Sequence, residues 1–445
     1  MISLGRINRI HMVALAAVLC SAGCGEDGAS PSGGGETGED ARGGGGGEDA
    51  RDNSDSGRID TGDGDGGTHS DGGSDAGQAD SGIQADSGGR DGGPADAGPR
   101  DAGSGDSGVV DDSPRLVQGL TIREVAFFQA VKVSLGKGGV AVQDRNAAVV
   151  AGREALVRVY FDLGSGWKSQ SVTAEAVVDT GGKREVFTAT LSPSAPSVEE
   201  SLSSTFNVRV PGGKVAPGAA ISVRLTAANG VPTPSGIASD ARFPADGSYL
   251  GLDARSTGGP IDLVLVPMRY DTDGSGRLPD TGPHVLQTIE RLLTTVYPAD
   301  GVAITVRDPL PWNEDLTWSG GVDFNKLNQY IADIKEQDGA PSGSYYYGMI
   351  KPKGTFGEYC SWACVTGQGW VVDDPADGAI RAASGVAFDV DQTAWTCAHE
   401  TGHLHGRYHA PCSTVDSDQN YPYSGGKIGV WGWDGPSNLL YSPDT

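Results

Sequence analysis

Residues 25–113 set the hardest limit on what this chain can fold into. The stretch is mostly Gly, Asp, Ser and Ala, with almost no large apolar side chain. It carries 22 Asp and Glu against 5 Arg, a net of −17 out of a formal −25 for the chain at pH 7. So little apolar surface and so much like charge leave too little burial to offset chain entropy. The expectation is a disordered, self-repelling low-complexity tether over residues 25–115. GDGDGG around Asp63 is faintly similar to calcium-binding glycine–aspartate repeats but lacks their fixed period. The acidity argues against a nucleic-acid partner.

Residues 1–24 have the form of an export signal. Arg6 and Arg9 precede the apolar run Met12–Leu19, which is too short to span a membrane. SAGC then places small residues before Cys24. This resembles a bacterial lipobox, although Ser21 stands where Leu is usual. The resemblance implies lipidation of Cys24 and, with Gly25 next, an outer-membrane or cell-surface position; plain secretion is the other reading. A lipid at Cys24 would be the only membrane contact.

From Leu116 onward about 330 residues remain, enough for two domains. In residues 116–250 short runs alternate apolar and polar positions between turn residues. LTIREVAFFQAVKVSL, ALVRVYFDL, VTAEAVVDT, EVFTATL, TFNVRV and AISVRLTAA are expected strands. Their spacing predicts a β-sandwich with no catalytic cluster of its own. Residues 245–259 are the expected linker. IDLVLVPM then predicts a strand buried on both faces. Pro283 opens an expected helix with Val285, Leu286, Ile289, Leu292, Leu293 and Val296 on one face, and Pro298 ends it. VAITVRD is a second strand. Asp323 is placed to cap a second helix striped by Phe324, Leu327, Ile331 and Ile334. SYYYGMI and GVAFDV are further strands, and another helix is expected from about Gln392. The expected fold is α+β and multidomain: tether, β-sandwich at 116–250, and an α/β domain at 259–445.

The run HETGHLHGRYH at 399–409 carries the chemistry. On a helix, His399 and His403 are four apart and face one point. Glu400 adjoins the first of them and can reach a metal-bound water without ligating the metal. Gly406 can take the left-handed conformation found just past helix ends. The chain can then return with His409. Three neutral imidazoles and one open position are the ligand set of catalytic zinc. His405 lies two residues past His403 and is expected to point away, into solvent.

This run resembles the long zinc motif of the metzincin clan of metallopeptidases. The match covers 399–409, with a looser likeness in element order back to about Gly259. Secreted bacterial metzincins with a β-sandwich in front are the nearest likeness. The resemblance implies a metzincin-like catalytic domain hydrolysing peptide bonds, with His399, His403 and His409 as zinc ligands and Glu400 as general base. Ala410 follows the third His and assigns no subfamily. Metzincins also carry a Met-turn after that His, whereas Met1, Met12, Met268 and Met349 all precede it. The ending SNLLYSPDT resembles the approach to such a turn, so either the domain is truncated there or it manages without the turn. The loop-rich region after His409 is expected to wall the substrate cleft, with Trp431 and Trp433 in a core.

An exported chain meets an oxidising compartment, which makes disulfides the expectation. Cys20 falls in the signal and Cys24 is the lipid site. Cys360, Cys364, Cys397 and Cys412 allow three pairings, and 360–364 with 397–412 is preferred because the second would brace the helix and the returning loop. Thiolate binding of zinc is the rival use of these residues. DTDGSG at 271–276 is similar to the first half of a calcium loop, with Asp271, Asp273 and Ser275 alternating. Gly282 stands where a bidentate Glu would be needed, so calcium is a weaker cofactor reading than zinc. The functional expectation is a zinc endopeptidase acting on protein or peptide. Its alternatives are a surface-anchored binding lipoprotein with an inactive zinc-protease fold, and a zinc hydrolase of some other substrate.

Overall fold

The computed structural model describes residues 113–318, 321–322, 324–360, 364–411 and 417–445. The export signal, Cys24, nearly all of the tether, Asp323 and Cys412 lie outside the described residues. The described part is mixed α and β, rich in strands, with several sheets and few helices. None of these helices is long and apolar enough to cross a membrane.

Seven longer strands build the first part: β1 (Leu120–Phe128), β2 (Lys132–Lys137), β3 (Ala155–Leu163), β4 (Val172–Thr180), β5 (Lys183–Leu191), β6 (Phe206–Val210) and β7 (Ala220–Thr226). One antiparallel sheet contains β2, β1, β3 and β6 in that order, and the other contains β7, β4 and β5. Inward residues of both sheets, among them Phe127, Val157, Phe161, Val178, Phe206 and Val223, enter one core. Phe161 and Phe206 touch at 5.3 Å between ring centroids. The long expected strand at 120–135 is divided at Gln129–Val131, and register shifts near Glu124 and Ala126 bend it.

Alternation fails in β3, where Ala155 to Phe161 are all buried. The reason is a second layer. Ala126, Phe128, Leu156 and Tyr160 point away from the shared core and pack with Trp433 of a C-terminal hairpin formed by Gly432–Asp434 and Leu439–Tyr441. The hairpin joins the strand region by backbone bonds, Trp433 N–H to the Ala130 carbonyl at 2.7 Å and Lys132 N–H to the Trp431 carbonyl at 2.7 Å. Trp433 is therefore core, as expected. The C-terminal hairpin folds back onto the strands because their outer face is too apolar to leave in water.

The expected linker at 245–259 is also tied down. Leu250 and Gly251 pair with Ile221 and Ala220, and Leu252 is fully buried. Arg255 exchanges backbone bonds with Val149 and Ala151, both 2.9 Å. Turn-like composition hid two short apolar anchors.

The second part is built on a mostly parallel sheet of β8 (Ile261–Tyr270), β9 (Val302–Val306), β10 (Leu310–Trp312), β11 (Tyr345–Ile350), β12 (Gly367–Gly369) and β13 (Ala382–Val386). The order is β9, β8, β11, β13, β12, with β10 also beside β8; only β12 runs antiparallel. Helices α1 (Pro283–Val296), α2 (Asn325–Gln337), α3 (Phe356–Tyr359) and α4 (Val390–Leu404) complete it. Leu263 and Leu265 face α1 and α4, whereas Val264 and Val266 face α2. Both faces of β8 are covered, which explains its unbroken apolar run.

The stripes of α1 and α2 are buried as their spacing predicts: Val285, Ile289, Leu292, Leu293 and Val296 in one, Phe324, Leu327, Ile331 and Ile334 in the other. GVAFDV is only partly strand. Backbone pairing stops at Val386, because Asp389 turns the chain and caps α4, its side chain accepting from the Gln392 N–H at 2.9 Å. The helix begins two residues earlier than expected.

Candidate metal centre

Helix α4 has no polar face. Thr393, Ala394 and every residue from Thr396 to Leu404 are buried. It lies against α1, β13 and β12, so its polar groups must find partners inside the protein or bind something. Its end is a Schellman motif: Gly406 N–H bonds the His403 carbonyl at 2.8 Å and Arg407 N–H bonds the Gly402 carbonyl at 3.1 Å. Gly406 has φ +72°, and a Cβ there would lie 2.8 Å from the Val372 carbonyl oxygen. Glycine is required twice over, and the reversal brings His409 back beside the helix.

His399, His403 and His409 converge. One ring nitrogen from each lies within 4.8 Å of the others, and this is the one group of three metal-capable side chains among the described residues. Nε2 of His399 and Nε2 of His409 are 3.3 Å apart. Tetrahedral zinc with bonds of roughly 2.0–2.1 Å would hold two ligand nitrogens about 3.3 Å apart. His403 donates from Nδ1 to the Arg407 carbonyl at 2.6 Å, which leaves its Nε2 lone pair free to ligate. Burial, then the neighbouring His403 and His409, holds His399 well below the usual imidazole pKa. Burial also lowers His403 to about 4, against the Arg407 carbonyl, which raises it, with His409 lowering it further. Neutral imidazole is the ligating form.

Glu400 is 4% exposed, and burial pushes its carboxyl well above the usual carboxylate range; the Gly369 N–H acts in the opposite direction. Its Oε2 has no hydrogen-bond partner among the described residues, and neither has His399 Nδ1. A buried carboxylate without a cationic partner is costly. A divalent cation on the three imidazoles would supply that charge. The donor set, the nitrogen spacing and the orphaned carboxylate oxygen all fit zinc.

Strand β12 presses on this carboxylate. A Cβ at Gly367 would lie 2.7 Å from Glu400 Oε1, and one at Gly369 would lie 2.7 Å from the Glu400 carbonyl and 3.1 Å from His403 Cβ. These two glycines belong to the site but were not singled out from the sequence. Their alternation in GQG, just after a disulfide, was the available signal.

His405 is not in solvent. Its ring stacks on Tyr345 at 4.6 Å and touches Tyr297 at 4.8 Å. Nδ1 donates to the Thr401 carbonyl at 2.9 Å, and Nε2 meets the Tyr345 hydroxyl at 3.1 Å. It caps the end of α4 from inside, a role helical phase could not show because the residue lies at the helix's C-terminal turn.

Of the cysteines, Cys360 and Cys364 are bridged, with Cα atoms 5.3 Å apart. Cys397 is a buried free thiol, pushed up to about 12 by burial, so the preferred bridge from it is not made. Its place on the α1-facing side of α4 turns it into the core. Asp271 pairs with Arg269 at 2.9 Å and Asp273 with Arg277 at 2.5 Å. Those arginines compete with any cation for the carboxylates of the DTDGSG loop. No protein-family model matches the chain, and no curated protein matches it either.

Proposed function

We propose that the protein is an exported zinc-dependent endopeptidase of metzincin type, anchored through Cys24 and held off the membrane by the acidic tether. The observation that carries this reading is the convergence of three imidazoles beside a buried carboxylate whose Oε2 lacks a partner among the described residues. His399, His403 and His409 would hold the metal. Bound zinc supplies Lewis acidity, which polarises a carbonyl and brings the pKa of water towards neutrality. Glu400 Oε2 takes the proton from the attacking water and passes it to the leaving amine nitrogen. The low-dielectric walls around Glu400 strengthen its interaction with a developing charge.

The position of β12 favours a peptide over other acyl substrates. It is an edge strand of the sheet among the described residues and runs directly past Glu400. An extended peptide can add to such an edge through backbone hydrogen bonds. The glycines of β12 let the strand lie directly on Glu400 and His403.

The test is metal analysis and peptide hydrolysis by the purified chain. One equivalent of zinc and cleavage of an unfolded protein substrate are expected. His403→Ala should lose the metal. Stoichiometric zinc with no hydrolysis of any peptide panel would leave a metal-binding protein and defeat the enzyme reading.

A further inference from the structure

The two-sheet part does more than carry the second part: its contacts reach the helix that bears the histidines. Arg153, just before β3, is 7% exposed, and its guanidinium crosses into the other part. It donates to the Tyr297 carbonyl at 2.5 Å and to the Thr295 carbonyl at 3.0 Å. These carbonyls close the end of α1, where helices leave acceptors unsatisfied and favour a cation. Gln129 holds Arg153 from behind, donating to its carbonyl at 2.9 Å. Asp434 of the C-terminal hairpin joins the same place, accepting from Thr295 at 3.2 Å and pairing with Arg291 at 3.1 Å.

The next link leads inward. Tyr297 is buried, and its hydroxyl donates to the Ala398 carbonyl at 2.7 Å. Ala398 is the residue before His399. The ring of Tyr297 also packs on His405, which holds the Thr401 carbonyl. Two carbonyls of the ligand-bearing turns of α4 are thus held by side chains, one by Tyr297 from beyond α1 and one by His405 at the helix's own end.

We propose that Arg153 and Tyr297 are positioning residues through which the two-sheet part sets the placement of the α4 turns carrying His399 and His403. The inference rests on the metal-site reading for its consequence, but its mechanical claim concerns the helix itself. Ligand atoms need placement within about half an ångström, and supports of this kind provide it. A passive spacer would have no reason to bury a guanidinium in the joint at the end of α1.

The experiment uses the full chain as Tyr297→Phe, Arg153→Met and Arg153→Lys, with Arg209→Met as control. Arg209 also reaches the C-terminal hairpin, at the Gly435 carbonyl, without touching α1. Amide hydrogen exchange is measured in the metal-free protein, and the visible d–d spectrum in the cobalt-loaded protein. Tyr297→Phe removes one oxygen and is the least disruptive change. Exchange about tenfold faster at residues 398–404 is expected in Tyr297→Phe and Arg153→Met, with β3 and β8 unchanged. The cobalt spectrum should shift in both, recover in part in Arg153→Lys, and match the unaltered protein in the control. If Arg153→Met unfolds, Tyr297→Phe decides. Unchanged exchange at 398–404, or acceleration spread evenly over β3, β8 and α4, overturns the proposal. An unaltered chain that takes up no cobalt overturns the metal reading instead, and exchange alone then decides the positioning claim.

Discussion

Two buried polar clusters in this molecule differ in how well their groups are satisfied. In the first part, Arg158 is fully buried between the rings of Phe128 and Tyr160. Its guanidinium donates to the Glu199 and Ser201 carbonyls, Tyr160 donates to Glu199 at 2.7 Å, and Lys132 bridges Glu124 and Glu199. In the second part, Glu400 Oε2 and His399 Nδ1 are equally hidden and have no such partners among the described residues. The satisfied cluster joins strands to the Glu199 loop and the hairpin. The unsatisfied one leaves these atoms unmet among the described residues, as the proposed metal reading requires. Burial alone does not mark a site; unmet bonding capacity does.

The largest effect expected from this contrast is at Glu400. Glu400→Gln should keep the metal and lower kcat by about 10³-fold, roughly 4 kcal/mol in barrier. Metal-free stability by urea unfolding should not fall, because a neutral amide replaces a carboxylate that burial disfavours. A loss of several kcal/mol there would make Glu400 a member of a satisfied network and erase the distinction.

Arg158→Met tests the opposite side. It strands the Glu199 and Ser201 carbonyls that accept from the guanidinium, and should cost about 3 kcal/mol in urea unfolding while zinc content stays at one equivalent. Lost zinc binding with unchanged stability would reverse the roles of the two clusters.

Chelation sharpens the comparison next. Removing zinc should lower unfolding free energy by about 2.7 kcal/mol relative to protein held at a free zinc concentration a hundred times its dissociation constant. The same treatment of His403→Ala should leave the thermal midpoint where it was.

The smallest effect is expected at β12. Gly369→Ala adds a methyl group against the Glu400 carbonyl and should destabilise by about 1–2 kcal/mol. It should also lower kcat more than it raises KM, since the carboxylate is displaced while the metal ligands remain.

Local periodicity made much of the fold readable. ALVRVYFDL and VTAEAVVDT are strands over their whole length. The stripe of α1 was legible because one face meets the sheet and the other meets solvent. Three failures share a cause. Residues 250–255, the hairpin at 432–441 and His405 all owe their positions to contacts with residues far away in sequence. Leu252 lies beneath β7's sheet, Trp433 beneath the outer face of β3, and His405 between two tyrosines from different elements. No short window of sequence contains both members of such pairs. The absent Cys397 bridge belongs with them, since the helix face that points into the α1 contact is a tertiary choice.

At the site the division is equally physical. The four-residue spacing of His399 and His403 places them on one helix face wherever that helix lies, and Gly406 permits the reversal that follows, so sequence determined two of the converging imidazoles and the turn leading to the third. Folding decided that Glu400 is sealed by the glycines of β12, that His403 is oriented by the Arg407 carbonyl, and that the two-sheet part reaches α4 through Arg153 and Tyr297. Helical geometry is set by the backbone over a few residues, whereas burial and orientation require surfaces that only the assembled chain brings together.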